Sequence, residues 1–264
     1  MTIPDDHPRR DSLLSRQRIV DAQAAGLLAD SALIAHGRGE AFDYLIGERT
    51  TDSAKAAQRE ALNRLFHAKS PVISLNGNST VLAGEEAICL AALTKSNIEV
   101  NIFYRTDDRM RLLLADIQKK KNKVIETPPS PKIAIETWRE MVESVRIYGE
   151  NPDAEIPGLH GPRASCSSLG IFQADVVMVP LEDGDRCEAL VAMGKQVLVI
   201  DLNPLSRTSM RASVTIVDEV SRAIRQMVRM ALHGPSHDLS DWDNRTILEA
   251  ALSEIATAVK QLQR

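Results

Sequence analysis

This sequence predicts an α/β fold, a parallel sheet flanked by helices with a helical region at the N-terminus. Three observations predict it. From Ser70 onward, short apolar runs alternate with helical patterns. Two of those runs, Val176-Val177-Met178-Val179 and Val197-Leu198-Val199-Ile200, are almost unbroken, as expected of strands buried on both faces of a parallel sheet. Before Ser70 the apolar residues fall at helical steps.

Taken in order, Leu13, Leu14, Ile19, Ala22 and Leu27 give a rough first helical face. Ala54, Ala57, Ala61, Leu65 and Phe66 give a clearer one, and Thr51-Asp52-Ser53 supplies the chemistry of a helix start before it. Residues 71–75 read as a strand and 82–93 as the helix after it. Residues 98–104 read as a second strand, 107–120 as its helix, and 123–125 as a weaker strand. Thr127-Pro128-Pro129-Ser130-Pro131 is a linker or turn. It opens an insert-like span, 127–155, with a helix near 133–145 and an end at Ile156-Pro157. Residues 174–181, 185–194 and 195–201 make a strand–helix–strand unit, and 214–217 the last strand. Val220, Ala223, Ile224, Met227 and Ala231 form a helical stripe. Gly234-Pro235-Ser236-His237 breaks the chain before a terminal helix striped by Ile247, Ala251, Ile255 and Val259, which is structural or lies at a subunit contact. The expected organisation is one domain over 1–264: helical over 1–69, sheet core over 70–218, and C-terminal helices over 219–264.

Composition narrows the function classes. Of 264 residues, 44% are hydrophobic and 26% charged, the balance of an ordinary globular chain. Lys+Arg number 32 against 36 Asp+Glu, net −4, so no basic surplus argues for nucleic acid. Aromatics are only 3%, too few for base-stacking platforms. No apolar stretch reaches the roughly 20 residues that span a bilayer, and the first residues carry no charged-then-apolar signal pattern. Cys89, Cys166 and Cys187 lack the spacing of a disulfide framework or a zinc site, so they read as thiols in a reducing cytoplasm.

The chemistry concentrates in four blocks. Residues 35–50 bring His36, Arg38, Arg49, acids and three glycines into one short span, read here as a Gly-bearing loop. Ser74-Leu75-Asn76-Gly77-Asn78, Pro180-Leu181-Glu182-Asp183-Gly184-Asp185-Arg186 and Ile200-Asp201-Leu202-Asn203-Pro204-Leu205-Ser206-Arg207-Thr208 each follow a predicted strand. Ligands of open α/β sheets bind past the carboxyl ends of strands, so these loops point to one shared pocket. Asp201 closes a strand where dinucleotide folds often place an acid on ribose. The Gly-rich phosphate loop of those folds is absent, and the acidic 182–186 block stands instead, against a standard NAD enzyme. Asp185 with Glu188 also fits a capping box.

Those blocks, with His7-Pro8-Arg9, Arg16, Asn101-Ile102-Phe103-Tyr104-Arg105-Thr106 and Ile156-Pro157-Gly158-Leu159, occur in an order that resembles the archaeal-type 4-phosphopantoate–β-alanine ligases, the phosphopantothenate synthetases of coenzyme A biosynthesis. The resemblance runs from the start to about Asp218 and more loosely beyond. The 127–155 span departs from the family pattern. The resemblance implies a Rossmann-like fold, a homodimer, and an ATP-dependent condensation of (R)-4-phosphopantoate with β-alanine that releases AMP and diphosphate. It places ATP on Arg16, Arg38, Asp201, Leu202, Asn203, Arg207, Thr208, Glu219 and Val220. Arg38 and Arg207, read as loop residues, suit phosphate; Asp201 and Asn203 suit ribose and base; Arg16 sits on a predicted helix.

The remaining polar residues are assigned from their chemistry. Arg105 and Arg186 are candidates for the substrates' anionic groups, with Asn76 and Asn78 orienting them. Asp183 is a candidate for Mg²⁺ or the β-alanine ammonium, Asp185 a second acid for the metal, and His36 a general base for the amine. His67, His160, His233 and His237 belong to no constellation. An acyl-adenylate is the expected intermediate, because a free carboxylate is a poor electrophile. A nucleotide-dependent oxidoreductase and a non-catalytic nucleotide- or CoA-sensing protein are the alternatives. No nucleic-acid or membrane partner is expected.

Overall fold

The apolar runs pair into a six-stranded sheet in which every neighbour is parallel. The computed structural model describes residues 3–235 and 241–261. Three helices come first: α1 (Arg10–Ala24), α2 (Ser31–Leu45) and α3 (Asp52–His67). Thr51 caps α3 as its sequence suggests, its hydroxyl accepting from the Ala54 N–H. Then follow β1 (Pro71–Leu75), α4 (Gly77–Thr94), β2 (Asn97–Val100), α5 (Asp107–Ile125), α6 (Ile135–Ser144) and β3 (Ile147–Tyr148). A two-stranded antiparallel hairpin, β4 (Ala154–Glu155) and β5 (Ser165–Cys166), and a π-helical turn at Ser168–Phe172 lead back to the sheet. It continues with β6 (Val176–Pro180), α7 (Gly184–Ala192), β7 (Gln196–Ile200), α8 (Arg207–Arg211) and β8 (Val214–Ile216). Helices α9 (Val220–Ala231) and α10 (Asn244–Gln261) close the chain.

The order across the sheet is β3-β2-β1-β6-β7-β8. Strands grow outward on one side of β1 and then on the other from β6, as in dinucleotide-binding sheets. Strand alternation sorts the core. Ile73, Leu75, Ile98, Met178, Leu198 and Ile200 pack in one cluster with α3, α4, α5 and α9, while Val72, Val177, Val179, Val197 and Val199 pack in another with Leu190 of α7 and Ile171.

Several expectations are corrected. Residues 123–125 are not a strand but the last turn of α5, because Val124 continues the buried face of Met110, Leu113 and Ile117. A three-residue apolar run carries no period with which to tell the two apart. The strand predicted over 98–104 stops at Val100, and Phe103 and Tyr104 are exposed. The Gly-bearing block at 35–50 is mostly helix: His36, Gly37, Arg38 and Gly39 all lie inside α2. Within the 127–155 span, Trp138 of α6 is fully buried and donates through Nε1 to the Val124 carbonyl at 2.7 Å, and β3 adds an edge to the main sheet beside β2. In α10, Leu248 and Ala251 pack with Val217, and Glu254 accepts from Ser53 on α3. The Val259 side chain, Ser236 and His237 lie outside the described residues.

Candidate active site

The turn between two diverging halves of a parallel sheet leaves a crevice past the strand ends. Here it lies between β1 and β6, and a cavity of about 520 Å³ opens there. Gly77 and Asn78, the first turn of α4, line it, so free backbone N–H groups and the positive end of that helix face it. Asn76 is the cap: its Oδ1 accepts from the Ser79 N–H at 3.0 Å, and Ser79 returns a bond from the Asn76 N–H. Its Nδ2 donates across the crevice to the carbonyls of Pro180 at 3.2 Å and Leu181 at 2.7 Å. Asn78 is buried and donates to the Ala32 carbonyl at 3.0 Å, which ties α4 to α2. Gly77 brings α4 close to the α1–α2 connection, where a Cβ would come within 2.8 Å of Leu28 Cδ2.

Below the cavity is a network of buried charge. The side chain of Glu182 is fully buried between two guanidinium groups, Arg163 at 2.9 Å and Arg186 in closer contact. Arg163 also holds Asp183 at 2.8 Å and donates through Nε to Asn101 Oδ1. Arg186 reaches Ser74 Oγ at 3.0 Å. Charges this buried persist only when paired. Arg186, a sequence candidate for a substrate anion, is sealed under the floor at 1% exposure, whereas Arg163 lines the cavity. Arg163 was missed from sequence. It follows Gly161-Pro162, where Gly161 takes φ +100°, a turn signal directly before it.

Arg38, Asp201, Leu202, Asn203, Arg207 and Thr208 line the same cavity. Arg38 is exposed on α2 and forms no ion pair among the described residues. Asp201 turns its carboxylate into its own loop, accepting from the Asn203 N–H at 2.9 Å and from Ser206 Oγ, and burial pushes its pKa up. Ser206 caps α8, so Arg207 begins a helix rather than lying in a loop. Arg207 pairs with Asp185 and lies across Gly184, where a Cβ would come within 2.4 Å of its Nε. Thr208 donates to the Glu182 carbonyl at 3.0 Å. The capping box expected of Asp185 and Glu188 does not form: Asp183 occupies the cap position of α7, and Asp185 lies inside the helix facing Arg207.

A second cavity, about 970 Å³, lies across α2, and Ala35, Gly39, Leu181 and Leu202 line both. His36, Glu40, Glu219 and Val220 line this one. The Nε2 of His36 is buried without a partner, and burial lowers its pKa despite the nearby carboxylates of Glu40 and Glu219. Glu219 caps α9, accepting from the N–H groups of Ser221 and Arg222. Arg16, on α1 as predicted, grips both oxygens of Glu40 at 2.8 and 3.0 Å, and Arg9 joins it there. Arg105 is elsewhere, donating to the carbonyls of Gly149 and Glu150 and lining neither cavity. His67 bonds the Asn63 carbonyl.

Both acids considered for Mg²⁺ have guanidinium partners. Asp183 is held by Arg163 and Asp185 by Arg207, and no group of three metal-ligating side chains exists among the described residues. An ion that arrives on phosphates and keeps its waters needs no such cage.

Comparisons with known proteins converge on one kind of enzyme. The pattern of the phosphopantothenate/pantothenate synthetase family matches residues 53–258. The 4-phosphopantoate–β-alanine ligase of Methanosarcina mazei is 42% identical, over 98% of this chain and 96% of that one. The ligase of the same name from Thermococcus onnurineus is 41% identical over 98% of this chain and 94% of its own. That of Thermococcus kodakarensis is 43% identical over 94% and 85%.

Proposed function

The chain belongs to the phosphopantothenate/pantothenate synthetase family, and from that premise we propose that it joins 4-phosphopantoate to β-alanine at the expense of ATP. The observation that carries the reading is near-full-length similarity to ligases of that name, with the matching loops gathered at the sheet's switch point. This favours a ligase over a dehydrogenase or a sensing protein.

ATP occupies the side formed by α2 and the 201–208 segment. Arg38 and Arg207 neutralise phosphate there, and Asn203 and the backbone of Leu202 meet the nucleoside. Arg16 acts through Glu40, and Glu219 and Val220 border the nucleotide from the second cavity. Phosphopantoate lies over the first turn of α4, where Asn78 and Arg163 hold anionic oxygens. Its carboxylate attacks the α-phosphorus, diphosphate leaves, and an acyl-adenylate forms. The amine of β-alanine, having lost a proton, then attacks the acyl carbon and AMP leaves. His36, kept neutral by burial, accepts that proton if the amine approaches from the second cavity. Positioning and charge neutralisation carry the rate. No step is assigned to a metal ion. The enzyme is proposed to be a cytoplasmic homodimer; no helix among the described residues is long and apolar enough to cross a membrane.

The test is product formation from ATP, phosphopantoate and β-alanine with each omitted in turn. Phosphopantothenate is expected only in the complete mixture. Its absence there sinks the reading.

A further inference from the structure

We propose that Asn76 is a positioning residue, whose carboxamide holds Leu181 in a left-handed turn and so sets the charged floor of the cavity. The kinetic part of this inference rests on the ligase reading above. Leu181 has φ +60°, a conformation that costs an L-residue with a side chain and persists only where its surroundings impose it. Three hydrogen bonds impose it here. The Leu181 N–H donates to the Ile200 carbonyl at 3.0 Å, and Asn76 Nδ2 holds the carbonyls of Leu181 and Pro180 from across the crevice.

Asn76 has little left to offer a ligand. A carboxamide has two N–H donors and one acceptor oxygen. Both donors are engaged by carbonyls, and the oxygen accepts from the Ser79 N–H and from Ser79 Oγ. The residue read from sequence as a substrate contact is thus a tie between the start of α4 and the end of β6. The turn it holds has a definite consequence. Directly after Leu181 the chain drops the Glu182 side chain inward between Arg163 and Arg186, leaves Asp183 exposed, and starts α7 at Gly184 beneath Arg207. One carboxamide therefore sets the guanidinium groups on both sides of the pocket.

The test is a double-mutant cycle on Asn76→Ser and Leu181→Gly. Serine keeps a capping oxygen for α4 and is too short to hold the carbonyls across the crevice. Glycine adopts positive φ without the cost. Asn76→Ser should lower phosphopantothenate formation roughly ten- to a hundredfold, in kcat more than in either KM. Adding Leu181→Gly should win back several-fold of that loss. The thermal midpoint should behave likewise, falling by about 2–4 °C in Asn76→Ser and recovering in the double variant. Losses that simply add, or a loss confined to the KM of one substrate, would overturn the proposal and return Asn76 to substrate contact. If the wild type made no phosphopantothenate, the ligase reading would fall, and the melting cycle would still decide the clamp.

Discussion

Two single residues carry sharp expectations. Arg207 is expected from sequence to neutralise ATP phosphate because it follows a strand end, and it lies across Gly184 on the cavity wall. Arg207→Lys should lower kcat/KM for ATP at least about tenfold, since a point ammonium cannot reproduce a planar two-pronged contact. Unchanged kinetics in a folded variant would reduce Arg207 to the partner of Asp185. His36 makes a pH prediction. Burial holds its pKa below the ordinary 6.5, so as pH falls through 6.5 the unfolded chain takes up a proton that the folded chain resists. Stability contributed by the neutral ring is therefore present above that pH and lost below it. His36→Gln should flatten this part of the profile, read from urea midpoints on either side of pH 6.5. An unaltered acid slope would mean that His36 titrates normally.

At the level of elements, the glycines of α2 and α4 behave oppositely. In α2, the space beside Gly37 is empty within 4 Å and its φ is ordinary for a helix, so Gly37→Ala should stabilise the protein by about 0.5–1 kcal/mol. A loop that held this glycine at positive φ would instead lose stability on the same substitution, so chemical denaturation separates the helix from such a loop. Gly77 opens α4 against Leu28, where a Cβ meets Cδ2 at 2.8 Å. Gly77→Ala should cost about 1–3 kcal/mol and weaken phosphopantoate use by pushing the α4 start away from the α1–α2 connection. Composition misread the 35–50 block because glycine marks loops and close helix contacts alike. Gly39 packs inside α2 beside Leu202, where an added Cβ would make an ordinary contact with Cδ1 at 3.5 Å.

For the whole molecule, the adenylate route predicts stoichiometric AMP and diphosphate with phosphopantothenate. ADP and phosphate, separated chromatographically after turnover, would instead require an acyl phosphate and would remove the proposed intermediate. The sequence by itself determined the parallel sheet, the helical N-terminus, the family and the loops that meet at the strand ends. Those features are local: unbroken apolar runs, turn residues directly after them, and blocks in a fixed order. Only the tertiary structure decided which polar side chains face the cavity. Arg186 and Arg163 are both arginines near Gly- or Pro-bearing turns, yet one is sealed beneath Glu182 while the other lines the pocket. Asn76 and Asn78 flank one glycine, yet Asn76 spends its carboxamide on bonds to β6 and to its own helix. The partners that settle these roles lie far off in sequence, 105 positions for Asn76 and Leu181, and no local pattern encodes a contact made only when β1 and β6 come to lie side by side.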